Sequence, residues 1–173
     1  MPGPGPTPPP VPSPAPSPDA GGAEVRIRAL AQTDLEEVVR IHELHTGVRE
    51  PEYWEAVLRR VRLEGEAREV ALAAETDGGL AAFLFGEVRA FEFGSDPCGW
   101  VFAVGVDPRF ARGGTASRLL DEACLCFRAM GVDRVRTMVR RNDVPLLAFF
   151  RANGFAGGAF VQLERSLEEG DVA

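Results

Sequence analysis

The chain contains no lysine: all nineteen of its basic residues are arginine. That absence excludes the phosphate-gripping lysine of a Walker loop and the Schiff-base lysine of pyridoxal enzymes. Long apolar runs are missing too. None approaches the ~18–20 residues that span a bilayer, so a soluble, cytoplasmic protein without a membrane partner is expected. Cysteine is sparse, and Cys98, Cys124 and Cys126 form an odd set without metal-ligand spacing. Such a set points to a reducing compartment and to packing rather than to disulfides. Cys124 and Cys126, two apart on a predicted helix, point in different directions, and Cys98 is expected alone in a loop. Only two histidines are present, His42 and His45, three apart on a predicted helix. They could share a metal, but no third ligand is evident, so a polar helix face is expected and no metal. There is a single tyrosine, Tyr53. The formal charge of −7 lacks the basic surface that nucleic acid requires, which excludes a nucleic-acid partner and suits a cationic or amine substrate.

Proline, by contrast, is concentrated. Ten of the fourteen prolines lie in MPGPGPTPPPVPSPAPSPDAGG, residues 1–22. This composition favours extended polyproline-like conformations and cannot bury enough surface to offset the entropy of ordering. A disordered tail is therefore expected over residues 1–23, with docking to a Pro-binding domain as its other reading. The stretch has neither the basic start and apolar run of a secretory signal nor the Arg-rich character of a transit peptide. Residues 24–173, about 150 in number, suffice for one domain with a real core.

Within that domain the apolar period sets the elements. Val25–Leu30 alternates as a strand. Thr33 begins a helix with Glu36 completing a capping box, and a second helix starts near Pro51. Strands over Glu69–Glu75 and Leu80–Phe91 are joined by TDGG, a hairpin signal. After the break GSDPCG comes the strand Trp100–Val106. Helix Thr115–Met130 closes at Gly131, followed by strand Asp133–Val139. A helix from Asp143 to about Ala152 and a strand near Phe160–Glu164 complete the order. This mixed α/β (α+β) order lacks the regular βα alternation of a doubly wound dinucleotide fold.

One loop stands out. In VFAVGVDPRFARGGTASRLL an apolar strand runs through Asp-Pro into a turn with Gly113 and Gly114 and then into an amphipathic helix. Glycines let backbone amides approach a ligand, and the helix brings unsatisfied N–H groups and about half a positive charge to the turn. That suits an anion, and it equally suits a plain change of direction. The missing lysine argues against a Walker loop, and the spacing is not G-x-G-x-x-G. A second segment, RRNDVPLLAFFRANGF, reads as a helix with Asn142 as N-cap, Pro145 in its first turn and Gly154 at its end.

Taken together, the two segments resemble those of the GNAT superfamily of acyl-CoA-dependent N-acyltransferases. VDPRFARGGTASRLL is similar to the family's V-x-P…R/Q-x-x-G-x-G/A segment, with Ala111 through Ala116 in the six core places. N…FFRANGF is similar to its Asn…F-Y-x-x-x-G-F segment, and the resemblance covers about Val25 to Leu167. It implies a central, mostly antiparallel sheet with a splayed parallel strand pair and about four flanking helices. It also implies acetyl-CoA as cosubstrate in the cleft between strands Trp100–Val106 and Asp133–Val139. Backbone groups of Val104, Gly105 and Val106 would pair with the pantetheine arm. The amides of Arg112, Gly113, Gly114, Thr115, Ala116 and Ser117 would hold the pyrophosphate, and Asn142 would contact the cofactor.

The expected activity is N-acetyl transfer to a primary amine of a small molecule or peptide by direct attack on the thioester, with a homodimer one possible assembly. Two departures qualify it. Ala111 stands where the family usually has Arg or Gln, and Arg112 is placed to restore that charge. Phe150 stands where the family often has a tyrosine that protonates the leaving thiolate, and a phenyl ring cannot donate. For the base, Glu87 is named first, with Glu92 as the other carboxylate of the strand region. The alternative is an inactive or weakly active regulatory domain that binds acyl-CoA. Acceptor recognition is expected from the Arg40–Val61 region and the Phe91–Trp100 turn.

Overall fold

The structure, a computed structural model, describes residues 24–63, 68–91, 94–111 and 113–165. The proline-rich stretch 1–23, Glu92 and Arg112 lie outside them. The elements run β1 (Arg26–Ala29), a 3-10 turn (Gln32–Asp34), α1 (Leu35–Thr46), α2 (Pro51–Leu63), β2 (Glu69–Thr76), β3 (Gly79–Phe91) and β4 (Ser95–Val106). A second 3-10 turn (Pro108–Phe110), α3 (Thr115–Ala129), β5 (Val135–Thr137) and α4 (Val144–Ala152) follow. The strands form one five-stranded sheet in the order β1-β2-β3-β4-β5. The first three pairings are antiparallel, and β4–β5 is parallel.

Side-chain alternation explains the three layers. On β2 and β3, Val70, Leu72, Ala74, Ala82 and Leu84 join Leu119, Leu120, Ala123 and Phe127 of α3 and Phe150 of α4 in one apolar cluster. The intervening Ala73, Phe83 and Phe85 pack with Val38, Val39 and Ile41 of α1 and Trp54, Val57 and Leu58 of α2 in another. Successive residues of a strand face opposite ways, so a sheet covered on both faces needs the near-continuous apolar runs found here, ALAA and LAAFLF. The helices α1 and α2 thus cover one face, and α3 and α4 the other.

Several sequence expectations require correction. The first helix is not capped by Thr33. The Asp34 carboxylate accepts from the Ala31 amide at 2.8 Å and from Arg28 Nη1 at 2.6 Å, which fixes a 3-10 turn and delays α1 to Leu35. Burial pushes the Asp34 carboxyl up, but Arg28 and the Ala31 amide outweigh it and leave it below the ordinary range. Strand β4 starts at Ser95 rather than Trp100, so Cys98 is a fully buried strand residue and not a loop residue. The extra length is accommodated by an irregular register opposite Arg89–Phe91, and Pro97 is exposed there, as proline is tolerated at bulges. No strand forms among residues 160–164: Val161 is 75% and Leu163 89% exposed, so their apolar alternation has no buried face to join. Burial pushes the Cys124 and Cys126 thiols up, away from the reactive thiolate, in keeping with packing roles.

Candidate functional site

The sheet opens at one place. Strands β4 and β5 pair through only three positions, Gly99↔Val135, Trp100↔Arg136 and Val101↔Thr137. At the last of these the Thr137 hydroxyl donates to the Val101 carbonyl at 2.9 Å. Immediately beyond, the β3–β4 register slips, because Gly86 faces Val101 while Phe85 faces Ala103, leaving Phe102 as an extra residue on β4. A bulge of this kind bends its strand and strengthens its twist. It explains why β5 is shorter than the Asp133–Val139 expected from the apolar pattern: β4 turns away from it.

A cavity of about 360 Å³ occupies the opening. Val101, Phe102, Ala103 and Val104 of β4 line it, with Thr137 and Met138 from the end of β5 and Leu146 and Phe150 from α4. Phe83, His42, Glu50, Tyr53 and Trp54 complete the wall. Phe150 belongs to the α3/α4 face, whereas Trp54 and Phe83 belong to the α1/α2 face. The cavity therefore draws on both faces of the sheet, which is possible only where two strands part.

Gly105 and Val106 continue β4 past the opening. Gly105 is buried, and a Cβ there would lie 2.5 Å from Phe83 Cε1 and 3.1 Å from Ile41 Cγ2, so no side chain fits between this strand and α1. The Val106 carbonyl meets His45 Nε2 at 2.6 Å, which occupies one of the backbone groups assigned above to the cofactor arm.

The end of β4 is fixed electrostatically. Asp107 is 1% exposed, and its carboxylate accepts from the Arg109 amide at 2.9 Å, Arg109 Nη2 at 2.8 Å and Arg40 Nη2 at 2.7 Å. The Arg109 guanidinium and amide, with Arg40, overcome burial and hold the Asp107 carboxyl far below the ordinary carboxylate range. Arg40 belongs to α1, so this cluster ties α1 to the turn that carries the chain into α3.

That turn carries the glycines of the expected anion site. Gly114 is the N-cap of α3 with φ 70° and ψ 4°, a left-handed conformation that disfavours other residues. A Cβ at Gly114 would meet nothing within 4 Å, so the space over the helix end is open. The first intrahelical bond runs from the Arg118 amide to the Gly114 carbonyl at 3.1 Å. The amides of Thr115, Ala116 and Ser117 precede it and have no carbonyl within the helix to bond. No acidic residue lies in the first turn of α3, so nothing competes for an anion there.

Asn142 is exposed in the turn before α4. It is not the N-cap: Asp143 is, accepting from the Leu146 amide at 3.1 Å. The FFRANGF segment owes its form to the helix end. The Phe155 amide bonds back to the Phe150 carbonyl at 3.0 Å, Gly154 is left-handed, and the two phenyl rings lie 5.0 Å apart. Glu87 sits on β3 away from the cavity wall, 16% exposed, paired with Arg60 at 3.1 Å and with Arg89. His42 and His45 do not converge on one point: His42 Nε2 meets Glu50 Oε2 at 3.1 Å, and His45 turns to Val106. Among the described residues no cluster of three His, Cys, Asp or Glu could hold a metal.

His42, Glu50, Tyr53 and Trp54 on the wall all fall in the Arg40–Val61 region expected to recognise the acceptor, whereas no described residue of the Phe91–Trp100 turn reaches the wall. Trp54 is 2% exposed and its indole N–H is buried without a hydrogen-bond partner among the described residues.

Residues 35–155 match the model of the Acetyltransferase (GNAT) family. No curated protein matches the sequence. Solved structures match the fold. The aminoglycoside N-acetyltransferase AAC(6')-Iy in complex with CoA is 19% identical, with a TM-score of 0.73 over 85% of this chain and 97% of its own. An aminoglycoside 6'-N-acetyltransferase, AAC(6')-Ih from Acinetobacter baumannii, is 17% identical, with a TM-score of 0.69 over 84% and 100%. Glucosamine-6-phosphate N-acetyltransferase from Arabidopsis thaliana is 18% identical, with a TM-score of 0.67 over 84% and 99%.

Proposed function

We propose a function on one premise: the chain belongs to the acetyltransferase (GNAT) family. Acetyl-CoA, the cosubstrate of that family, supplies an activated acyl thioester. On our reading, residues 24–173 form one acyltransferase domain that transfers the acetyl group to a primary amine of a small molecule or peptide. The observation that carries this reading is the parting of β4 from β5 beyond Val101 and Thr137, with a cavity in the gap.

The residues present fit the cosubstrate. Open space over Gly114, the Thr115, Ala116 and Ser117 amides without a carbonyl partner in the helix, and an acid-free first turn suit a pyrophosphate. We retain Arg112 and Gly113 in the proposed phosphate site as well. The unpaired edge of β4 at Val104, Gly105 and Val106 offers backbone groups to an extended arm, with His45 yielding the Val106 carbonyl or remaining beside it. Asn142 is the proposed side-chain contact from the turn before α4.

In the reaction the amine nitrogen would bond to the acyl carbon, the carbon–sulfur bond would break with its electron pair leaving on the CoA sulfur, and the proton shed by the nitrogen would pass through water to that thiolate or to solvent. A β4 backbone N–H at the opening meets the developing oxyanion. Holding the amine and the thioester together in the cavity contributes on the order of several kcal/mol. Phe150 is 4% exposed against the cavity and provides no proton for the thiolate. That residue favours a second reading, a domain that binds acyl-CoA with little or no turnover.

Thiol release from acetyl-CoA across polyamines, amino acids, aminoglycosides and peptide N-termini tests the proposal. Amine-dependent release, with the acetylated amine identified by mass spectrometry, supports transfer. CoA binding with no release from any amine supports the second reading.

A further inference from the structure

The sequence has nineteen arginines, yet none of the described ones lines the cavity. Among the described residues Glu50 is the one carboxylate on the wall. Elsewhere several arginines pair with carboxylates: Glu87 is held by Arg60 and Arg89, Asp107 by Arg40 and Arg109, and Glu75 by Arg26 and Arg28. Even Arg49, the neighbour of Glu50 in sequence, is turned onto Glu36 and Glu43 of α1. Among the described residues Glu50 instead meets His42, at 3.1 Å, and its side chain remains 49% exposed.

The backbone positions this carboxylate. The Trp54 amide donates to the Glu50 carbonyl at 3.3 Å, which sets Glu50 at the mouth of α2. Trp54 in turn stacks on Phe85 at 5.4 Å and packs edgewise on His42 at 5.2 Å and on Tyr53 at 5.0 Å. A half-exposed carboxylate on an otherwise apolar and aromatic wall attracts a cation through its charge. A phosphate or carboxylate on the ligand would find no guanidinium there and would face Glu50 itself.

We propose that the acceptor is a multiply cationic amine with no acidic group near its reacting nitrogen, and that Glu50 selects it. This inference rests on the reading of the cavity as the acceptor end of an acetyl-transfer site. His42 is a positioning residue: its ring fixes Glu50 Oε2, leaving the rest of the carboxylate to the ammonium group.

The test compares spermidine with glucosamine 6-phosphate as acceptors for the wild type and for Glu50→Gln and Glu50→Asp. Acetyl-CoA consumption is followed, and spermidine binding to the CoA-loaded protein is measured by calorimetry. The wild type is expected to turn over spermidine at least tenfold more efficiently than the phosphosugar. Glu50→Gln is expected to raise the spermidine KM and Kd about tenfold, change kcat less, and leave CoA affinity within twofold. Glu50→Asp recovers part of the loss. Equal spermidine binding by wild type and Glu50→Gln overturns the assignment, as does a preference for glucosamine 6-phosphate. If no amine is acetylated, the transfer reading fails. The calorimetric comparison still decides whether Glu50 binds the cation.

Discussion

Replacing Asp107 with alanine asks whether charge holds the chain on its way from β4 to α3. Breaking a buried ion pair by removing one partner costs about 3–5 kcal/mol when the stranded charge stays buried. Here it does not stay buried. The Arg109 side chain is 64% exposed and that of Arg40 33%, and Arg40 keeps Glu37 at 3.0 Å. The loss is then chiefly that of the charge-assisted hydrogen bonds on Asp107, which places the expected cost at about 2–3 kcal/mol. For a domain of this size each kcal/mol lowers Tm by roughly 2–4 °C, so a fall of about 4–12 °C is expected in thermal unfolding at pH 7. CoA affinity should weaken in the same variant, because the Gly113–Ser117 turn loses its anchor. A Tm within about 1 °C of the wild type would mean that Asp107 does not anchor this turn.

The same residue sets a pH dependence. Arg109 and Arg40 hold the folded carboxyl far below its ordinary value of 3.8. The unfolded chain therefore takes up the proton at a higher pH than the folded chain, and stability rises with pH across that interval. The contribution of Asp107 is fully present above its ordinary value and is lost as pH falls toward the folded one. Wild type should lose Tm more steeply below pH 4 than Asp107→Asn, and parallel curves would contradict this.

Gly114→Glu should abolish CoA binding by calorimetry, whereas Gly114→Ala pays only the left-handed backbone cost of about 1–2 kcal/mol and should still bind. Equal CoA affinities for Gly114→Glu and wild type would remove the pyrophosphate from this turn. Gly105→Ala drives a methyl against Phe83 and Ile41, an overpacking expected to cost at least about 1–3 kcal/mol in denaturant unfolding. Phe150→Tyr adds a proton donor at the cavity wall. It should raise turnover if thiolate departure limits the rate, toward the roughly 10²-fold scale of general-acid help. Tyr53→Phe should change turnover little, and a hundredfold loss would mean that Tyr53 already serves as the acid.

The sequence made the layered fold legible because both strand faces and helix faces carry apolar residues at their own periods. The TDGG hairpin, the α3 start after Gly114 and the Gly154 ending were legible for the same local reason: turn chemistry requires those residues. The errors came where distant partners outrank local ones. Thr33 is a good cap by composition, but Arg28 and the Ala31 amide recruit Asp34 instead. Asn142 and Asp143 are both suitable caps, and only geometry shows that Asp143 takes the Leu146 amide. Cys98 lies in a segment with glycine and proline, which reads as a loop until β3 pairs with it. Glu50 carries no motif and no period. Its place at the cavity follows from how the α1–α2 corner folds onto the parted strands, which spacing alone does not encode.

Amide hydrogen exchange with and without CoA reports whether the cofactor lies along β4 and over the start of α3. Ligand-dependent protection is expected at Gly113–Ser117 and along Val104–Val106. Protection confined to other segments, or none at saturating CoA, would contradict that placement.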